Sequence, residues 1–105
     1  MFMRRLGRSN LEISAMGLGC WAIGGPWTID NEPAGWGRID DAESIRAIHC
    51  ALDARINFFD TAGSYQQGRS ETILGRAIAK LSARNDVIIA TKVHYPIGPG
   101  PNDYG

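Results

Sequence analysis

Three side chains in this sequence could together move a proton: the carboxylate of Asp60, the phenol of Tyr65 and the ammonium of Lys92. Asp60 closes the apolar run Ile56-Asn57-Phe58-Phe59, and Lys92 closes Val87-Ile88-Ile89-Ala90-Thr91, so each charge stands where a buried strand reaches its carboxyl end. Consecutive strands of a βαβ unit often lie side by side, about 5 Å apart, which puts the two charges within pairing reach. Tyr65 follows on the loop leaving the first of those strands and can fold back over the same edge, where ligands of α/β folds bind. A phenol beside an ammonium has its phenolate form favoured and becomes a better proton shuttle near neutral pH, while a carboxylate would hold the ammonium charged and oriented. Lysine is also scarce, with Lys80 and Lys92 standing against nine arginines. A structural reading stands beside the chemical one: Asp60 and Lys92 as an ion pair bracing a sheet edge, Tyr65 as an amphipathic loop residue. Spacing alone does not separate the two.

The elements that must carry these residues follow from local patterns. Gly7-Arg8-Ser9-Asn10 between Arg4-Arg5-Leu6 and Leu11-Glu12-Ile13 predicts a short hairpin, and Met16-Gly17-Leu18-Gly19-Cys20 a small glycine-spaced strand. Residues 21–39 read as a long loop carrying Trp21, Trp27 and Trp36, the kind of segment that is more often functional than a neutral connector. Asp40 with Glu43 forms a capping-box pattern, and Ile45, Ile48 and Leu52 place one apolar stripe on a helix reaching about Ala54. Ile56 to Asp60 is the next strand. Ser70 is the next N-cap candidate, with Ile73, Leu74, Ala77, Ile78 and Leu81 on one helical face, before the β-branched strand Val87 to Thr91. Residues 95–105, rich in proline and glycine, predict an irregular tail. Alternating strands and helices imply right-handed βαβ units and a parallel sheet. A hairpin, about three parallel strands and two helices leave such a sheet unfinished, so the expectation is an α/β chain cut short, with apolar sheet edges open to self-association.

Composition narrows the function classes. The 105 residues suit one domain, and eleven basic against eleven acidic residues leave no net charge to draw the chain onto nucleic acid or an anionic membrane. No apolar run approaches the roughly 20 residues of a membrane span, and nothing at the start reads as a signal peptide. Cys20 and Cys50 are too few for a disulfide framework and lack partners at metal-ligand spacing, which points to free thiols, a cytoplasmic location and no metal.

The stretch NFFDTAGSYQQGRSETILG, from Asn57 to Gly75, resembles the signature of the aldo/keto reductase family. The opening LGRSNLEISAMGLGCWAIGG resembles that family's amino-terminal hairpin and first barrel strand, and IIATKV its third strand with the catalytic lysine. The likeness runs over about residues 4–95. It implies the first part of a (β/α)8 barrel, a fold of about 250 residues when closed. It further implies NADP(H)-dependent reduction of a small-molecule aldehyde or ketone to an alcohol. In that assignment Tyr65 is the general acid, Lys92 the residue that tunes it and Asp60 the carboxylate that anchors the lysine. The family's orienting histidine lies on a later strand, so His49 and His94 read as ordinary structural or surface histidines. By the same resemblance Cys20, Trp21 and Asp60 would meet the nicotinamide end of the cofactor; many relatives have threonine at the Cys20 position, and Trp21 reads equally well as a core-capping aromatic.

Two positions depart from the family pattern, Arg55 and Gln66 each standing where glycine is usual. Gly75, inside a predicted helix, is explained by the resemblance as a point of close helix packing. Two further functional readings accompany the enzyme. One is a non-catalytic binding or regulatory relative, as in the potassium-channel β-subunit branch, and the other a truncated product without a function of its own.

Overall fold

The computed structural model describes residues 1–104. Met3–Arg5 (β1) and Glu12–Ser14 (β2) pair antiparallel as the expected hairpin, with Arg4 opposite Ile13 and Arg5 opposite Glu12. Leu18–Gly19 (β3), Phe58–Asp60 (β6) and Ile88–Ala90 (β7) form a parallel sheet in the order β3-β6-β7. Between β3 and the first helix the chain is not the plain loop expected from sequence. A 3₁₀ turn at Ala22–Gly24 leads to a small hairpin of Thr28–Ile29 (β4) and Glu32–Pro33 (β5). Its two-residue turn, Asp30-Asn31, has φ of +51° and +65°, the left-handed pair whose twist matches that of antiparallel strands.

Helix α1 covers Asp41–Asp53 and α2 covers Arg69–Lys80. Asp40 caps α1 as predicted, its carboxylate accepting from the Glu43 amide at 2.8 Å. Ser70 does not cap α2. Gly68, at φ +87°, takes the N-cap position, and Ser70 lies inside the first turn with its hydroxyl turned into the protein. The alternation along β6 divides the sheet. Leu18, Phe59 and Ile89 face the helices, where Ile48 and Ala51 of α1 and Ile73, Leu74, Ala77 and Ile78 of α2 close a core around the fully buried Phe59. Each fully buried side chain of this size contributes about 1.5–3 kcal/mol, so the helix-facing side carries most of the stability. His49 adds a tie between the helices, its Nε2 lying 3.0 Å from the Ala77 carbonyl oxygen. Leu81, expected on the same face, lies past the end of α2 and is exposed.

Both helices end in the same way. The amides of Arg55 and Ile56 bond to the carbonyls of Leu52 and Ala51, and those of Ser82 and Ala83 to Ala79 and Ile78. That geometry holds Arg55 at φ +63°, so the glycine-type conformation at this position is kept. Gly75 is exposed, and a Cβ there would meet nothing within 4 Å, so no helix among the described residues packs closely against it. The amino end of the sheet is closed by the β1–β2 hairpin. Ser14 N donates to Asn57 Oδ1 at 2.7 Å, Asn57 N returns to Ser14 Oγ at 3.1 Å, and Asn57 Nδ2 reaches Glu12 O. Residues 95–104 hold no helix or strand, but a bridge between Pro96 and Tyr104 and a bond from Ile97 N to Asp103 O close them into a loop; residue 105 of the expected tail lies outside the described residues.

Candidate active site at the carboxyl end of the sheet

Asp60 and Ala90 are register partners, so Lys92, two residues beyond Ala90, projects to the same side of the sheet as Asp60. The predicted pair forms. Lys92 Nζ donates to Asp60 Oδ1 at 2.5 Å and to the Thr61 carbonyl at 2.9 Å, and it sits over the Tyr65 ring, 5.1 Å from the centroid. Burial by itself lowers the ammonium's pKa, but the hydrogen bonds and charges of Asp60 and Tyr65 outweigh it, and Lys92 is held above the ordinary lysine value. Both members of the pair stay accessible, with side-chain exposures of 40% for Lys92 and 46% for Asp60.

Tyr65 reaches this pair because the chain reverses sharply after it. Gln66, Gln67 and Gly68 all have positive φ, which folds the loop back to start α2 at Arg69. Gln66 stabilises this turn through its side chain, whose Nε2 donates to Pro26 O at 2.7 Å. Gly24 explains why the 3₁₀ turn can lie against the loop: a Cβ there would come within 3.2 Å of the Tyr65 carbonyl group.

Aromatic rings frame the phenol. Trp21 stacks on Tyr65 at 5.9 Å with planes 11° apart, Trp27 lies tilted at 6.4 Å, and Trp36 meets Trp21 edge-on at 5.8 Å. Trp21 is fixed by its own indole, which donates to Ala34 O at 2.9 Å and so fastens the β4–β5 hairpin beside the site. A cleft of about 280 Å³ opens here, bounded by Trp21, Trp27, Ile29, Tyr65, Lys92 and Tyr95. Its walls are mostly apolar, with the Lys92 ammonium and the Tyr65 ring at one side.

Cys20 does not join the cleft. Two residues beyond Leu18, it faces the same helix side, its side chain is fully buried in the core, and its Sγ lies 3.7 Å from Leu18 O. Burial, helped by the Asp60 charge and opposed by Lys92, pushes its thiol up to about 11. Neither histidine joins either, since His49 is occupied by Ala77 and exposed His94 packs edge-on against Tyr95. Sequence reasoning passed over Thr61, Trp27 and the inward role of Ser70. Thr61 directly follows Asp60, the one local signal that could have singled it out.

The sequence model of the Aldo/keto reductase family matches residues 15–105. The chain belongs to the aldo/keto reductase family. It is 44% identical over 80% of its length to the aldo-keto reductase YhdN of Bacillus subtilis, and 38% identical over its whole length to a probable voltage-gated potassium channel subunit beta of Arabidopsis thaliana. These alignments cover 23% and 29% of the two relatives. Among solved structures it is similar to the holo form of an aldo-keto reductase from Bacillus halodurans, with a TM-score of 0.75, 31% identity, and coverage of 100% of this chain and 30% of that one. A glycerol dehydrogenase from Gluconobacter oxydans superimposes with a TM-score of 0.66 and 36% identity, over 98% of this chain and 29% of that one. These aldo/keto reductase structures are (β/α)8 barrels, and the present chain corresponds to part of such a barrel: a parallel sheet with two helices that does not close on itself. It spans less than a third of the length of these relatives.

Proposed function

We propose that this chain carries the proton-transfer part of an NADP(H)-dependent oxidoreductase that reduces aldehyde or ketone carbonyls to alcohols. The observation that supports it best is Lys92 Nζ, bonded at once to Asp60 and to the Thr61 carbonyl while lying over the Tyr65 ring at an aromatic cleft. In this reading Tyr65 gives its phenolic proton to the carbonyl oxygen as the carbonyl carbon gains a hydride. Lys92 compensates the phenolate left behind, and Asp60 keeps the ammonium charged and aimed. A reduced nicotinamide, when bound, supplies the hydride. Trp21, 43% exposed at the end of β3, and the accessible Asp60 carboxylate fit its nicotinamide end. Lys92 is the only cationic side chain among the described residues lining the cleft and is already engaged, so the preference for NADP rests on the family resemblance. A cytoplasmic location and self-association of the isolated chain through the free edges of β3 and β7 belong to the same reading. No helix among the described residues is long and apolar enough to cross a membrane.

The test uses a barrel completed with the remaining strands of a relative. NADPH oxidation in the presence of aldehydes and ketones is the expected result, and Lys92→Met should displace the pH profile of reduction. Similarity over the whole of this chain, and 29% of the relative, to a probable potassium channel subunit beta of Arabidopsis supports a second reading, a binding or regulatory barrel. A completed barrel that binds NADPH, turns over no carbonyl compound and associates with a potassium channel would establish that reading instead.

A further inference from the structure

We propose that Ser70 is a positioning residue for the Asp60–Lys92 pair, an inference that rests on the carbonyl-reduction reading of that site. Ser70 is fully buried in the first turn of α2, and Thr61 beside it is 1% exposed. Ser70 Oγ lies 2.5 Å from the Cys20 carbonyl and 3.1 Å from Thr61 Oγ1. A serine hydroxyl has one proton, and the carbonyl of Cys20 can only accept, so Ser70 donates to Cys20 and Thr61 donates to Ser70. Both hydroxyl protons of this buried pair are thereby committed.

The chain of bonds continues to the site. Cys20 N donates to Asp60 O at 2.8 Å, Thr61 N donates to Ala90 O at 2.8 Å, and the Thr61 carbonyl accepts from Lys92 Nζ. Ser70 therefore ties the carboxyl ends of β3 and β6 to α2, and through Thr61 it holds one of the two acceptors that fix the ammonium. Removing its hydroxyl leaves the buried Cys20 carbonyl without that donor and the Thr61 hydroxyl without its acceptor, a cost that buried groups avoid by shifting. The shift moves the Thr61 carbonyl, and Lys92 moves with it. The ionisable groups that Lys92 feels from the surrounding elements are Asp60 at the end of β6, Tyr65 on the following loop and Cys20 beyond β3. Glu71 of α2 bonds to the neighbouring Thr91, and exposed His94 packs on Tyr95.

A pH titration by NMR of the chain carrying ¹³C-labelled lysine reads this directly, because Lys80 and Lys92 are its only lysines and exposed Lys80 serves as the internal reference. In Ser70→Ala the Lys92 midpoint falls toward the ordinary value of 10.5 while Lys80 stays in place. Thr61→Val, which preserves shape and deletes only the hydroxyl, moves Lys92 in the same direction, and the double variant moves it no further. Ile73→Val removes a buried methylene from the same helix without touching the network and leaves Lys92 unmoved. An unchanged Lys92 midpoint in both Ser70→Ala and Thr61→Val overturns the proposal, as does an equal shift in Ile73→Val. If Ser70→Ala yields no folded chain, Thr61→Val against Ile73→Val decides. The readout needs neither cofactor nor substrate, so its failure leaves the carbonyl-reduction reading standing, and an inactive completed barrel leaves this result intact.

Discussion

The two ends of the parallel sheet use similar residue types for opposite purposes. At the amino end Asn57 and Ser14 exchange hydrogen bonds, Asn57 also reaches Glu12 O, and Ser14 is 1% exposed. Polar groups there are spent on one another and seal the hairpin to the sheet. At the carboxyl end Asp60 and Lys92 are paired yet nearly half exposed, and the Tyr65 ring lies against a cleft. The half-exposed ion pair adds little to stability, since solvent screens it. What the carboxyl end keeps is a paired charge that stays open to solvent beside the cleft. Damage at the amino end should therefore appear as lost stability, and damage at the carboxyl end as lost chemistry.

The sharpest way to break this contrast is Tyr65→Phe in the completed barrel. The ring and its stacking on Trp21 persist while the proposed proton donor is lost, so turnover should fall by about 10²–10⁴ with cofactor affinity and melting temperature nearly unchanged. Steady-state kinetics beside a thermal melt checks it. Reduction persisting near the parental rate would show that the carboxyl end is only a braced sheet edge.

The converse substitution, Asn57→Ala, should cost about 3 kcal/mol. It removes the acceptor of the Ser14 amide and the donor to Glu12 O at a half-buried junction, and an orphaned buried amide costs about 1–3 kcal/mol by itself. Chemical denaturation measures this. The Asp60–Lys92 geometry should survive in whatever fraction remains folded.

Much of this contrast was legible in the sequence. Strand endings at Asp60 and Lys92 and the period of two along β6 and β7 suffice to bring the pair together, because parallel register is set by neighbouring apolar runs. Cys20 was misplaced: the family resemblance drew it toward the cofactor, whereas it stands two residues beyond Leu18 on the same, core-facing side. Ser70 was not, since a serine before an apolar stripe is locally an N-cap, and its actual partner, the Cys20 carbonyl, stands 50 residues away. The β4–β5 hairpin lay between these cases. Asp30-Asn31 is a turn signal, but the placement of the hairpin depends on Trp21 reaching Ala34 and Gln66 reaching Pro26, contacts that no local pattern contains.

Cys20 lies beneath the carboxyl end and gives a pH test of how dry that region is. Its thiol is raised from 9.0 to about 11, so the folded state favours the protonated form. The corresponding stability is fully present below pH 9 and is lost as pH rises through about 11, a decline of about 2–3 kcal/mol. Lys92, also raised, contributes loss in the same direction at alkaline pH. Cys20→Val isolates the thiol's share: denaturation curves from pH 8 to 11 should flatten in the variant. Exposed Cys50 should be alkylated in the folded parent well before Cys20.

The smallest effects come from the two positions where family members usually carry glycine, one at each end of the sheet. Arg55, at φ +63°, enters the amino end, and Gln66, at φ +49°, shapes the carboxyl end. A non-glycine residue in the left-handed region is strained by about 1 kcal/mol. Arg55 is exposed and its side chain makes no hydrogen bond or ion pair among the described residues, so Arg55→Gly should recover about that amount, less a few tenths for the added freedom of the unfolded chain. Gln66→Gly relieves the same kind of strain but surrenders the bond to Pro26 O, which is worth about 1 kcal/mol, so its net effect on stability should be near zero. Its consequence should appear instead in the cleft, where the Trp27 hairpin loses one of its fastenings to the Tyr65 loop and the tryptophan fluorescence changes. Equal stabilisation by the two glycines, with no spectral change in Gln66→Gly, would mean that the carboxyl-end loop carries Gln66 as passively as the amino end carries Arg55.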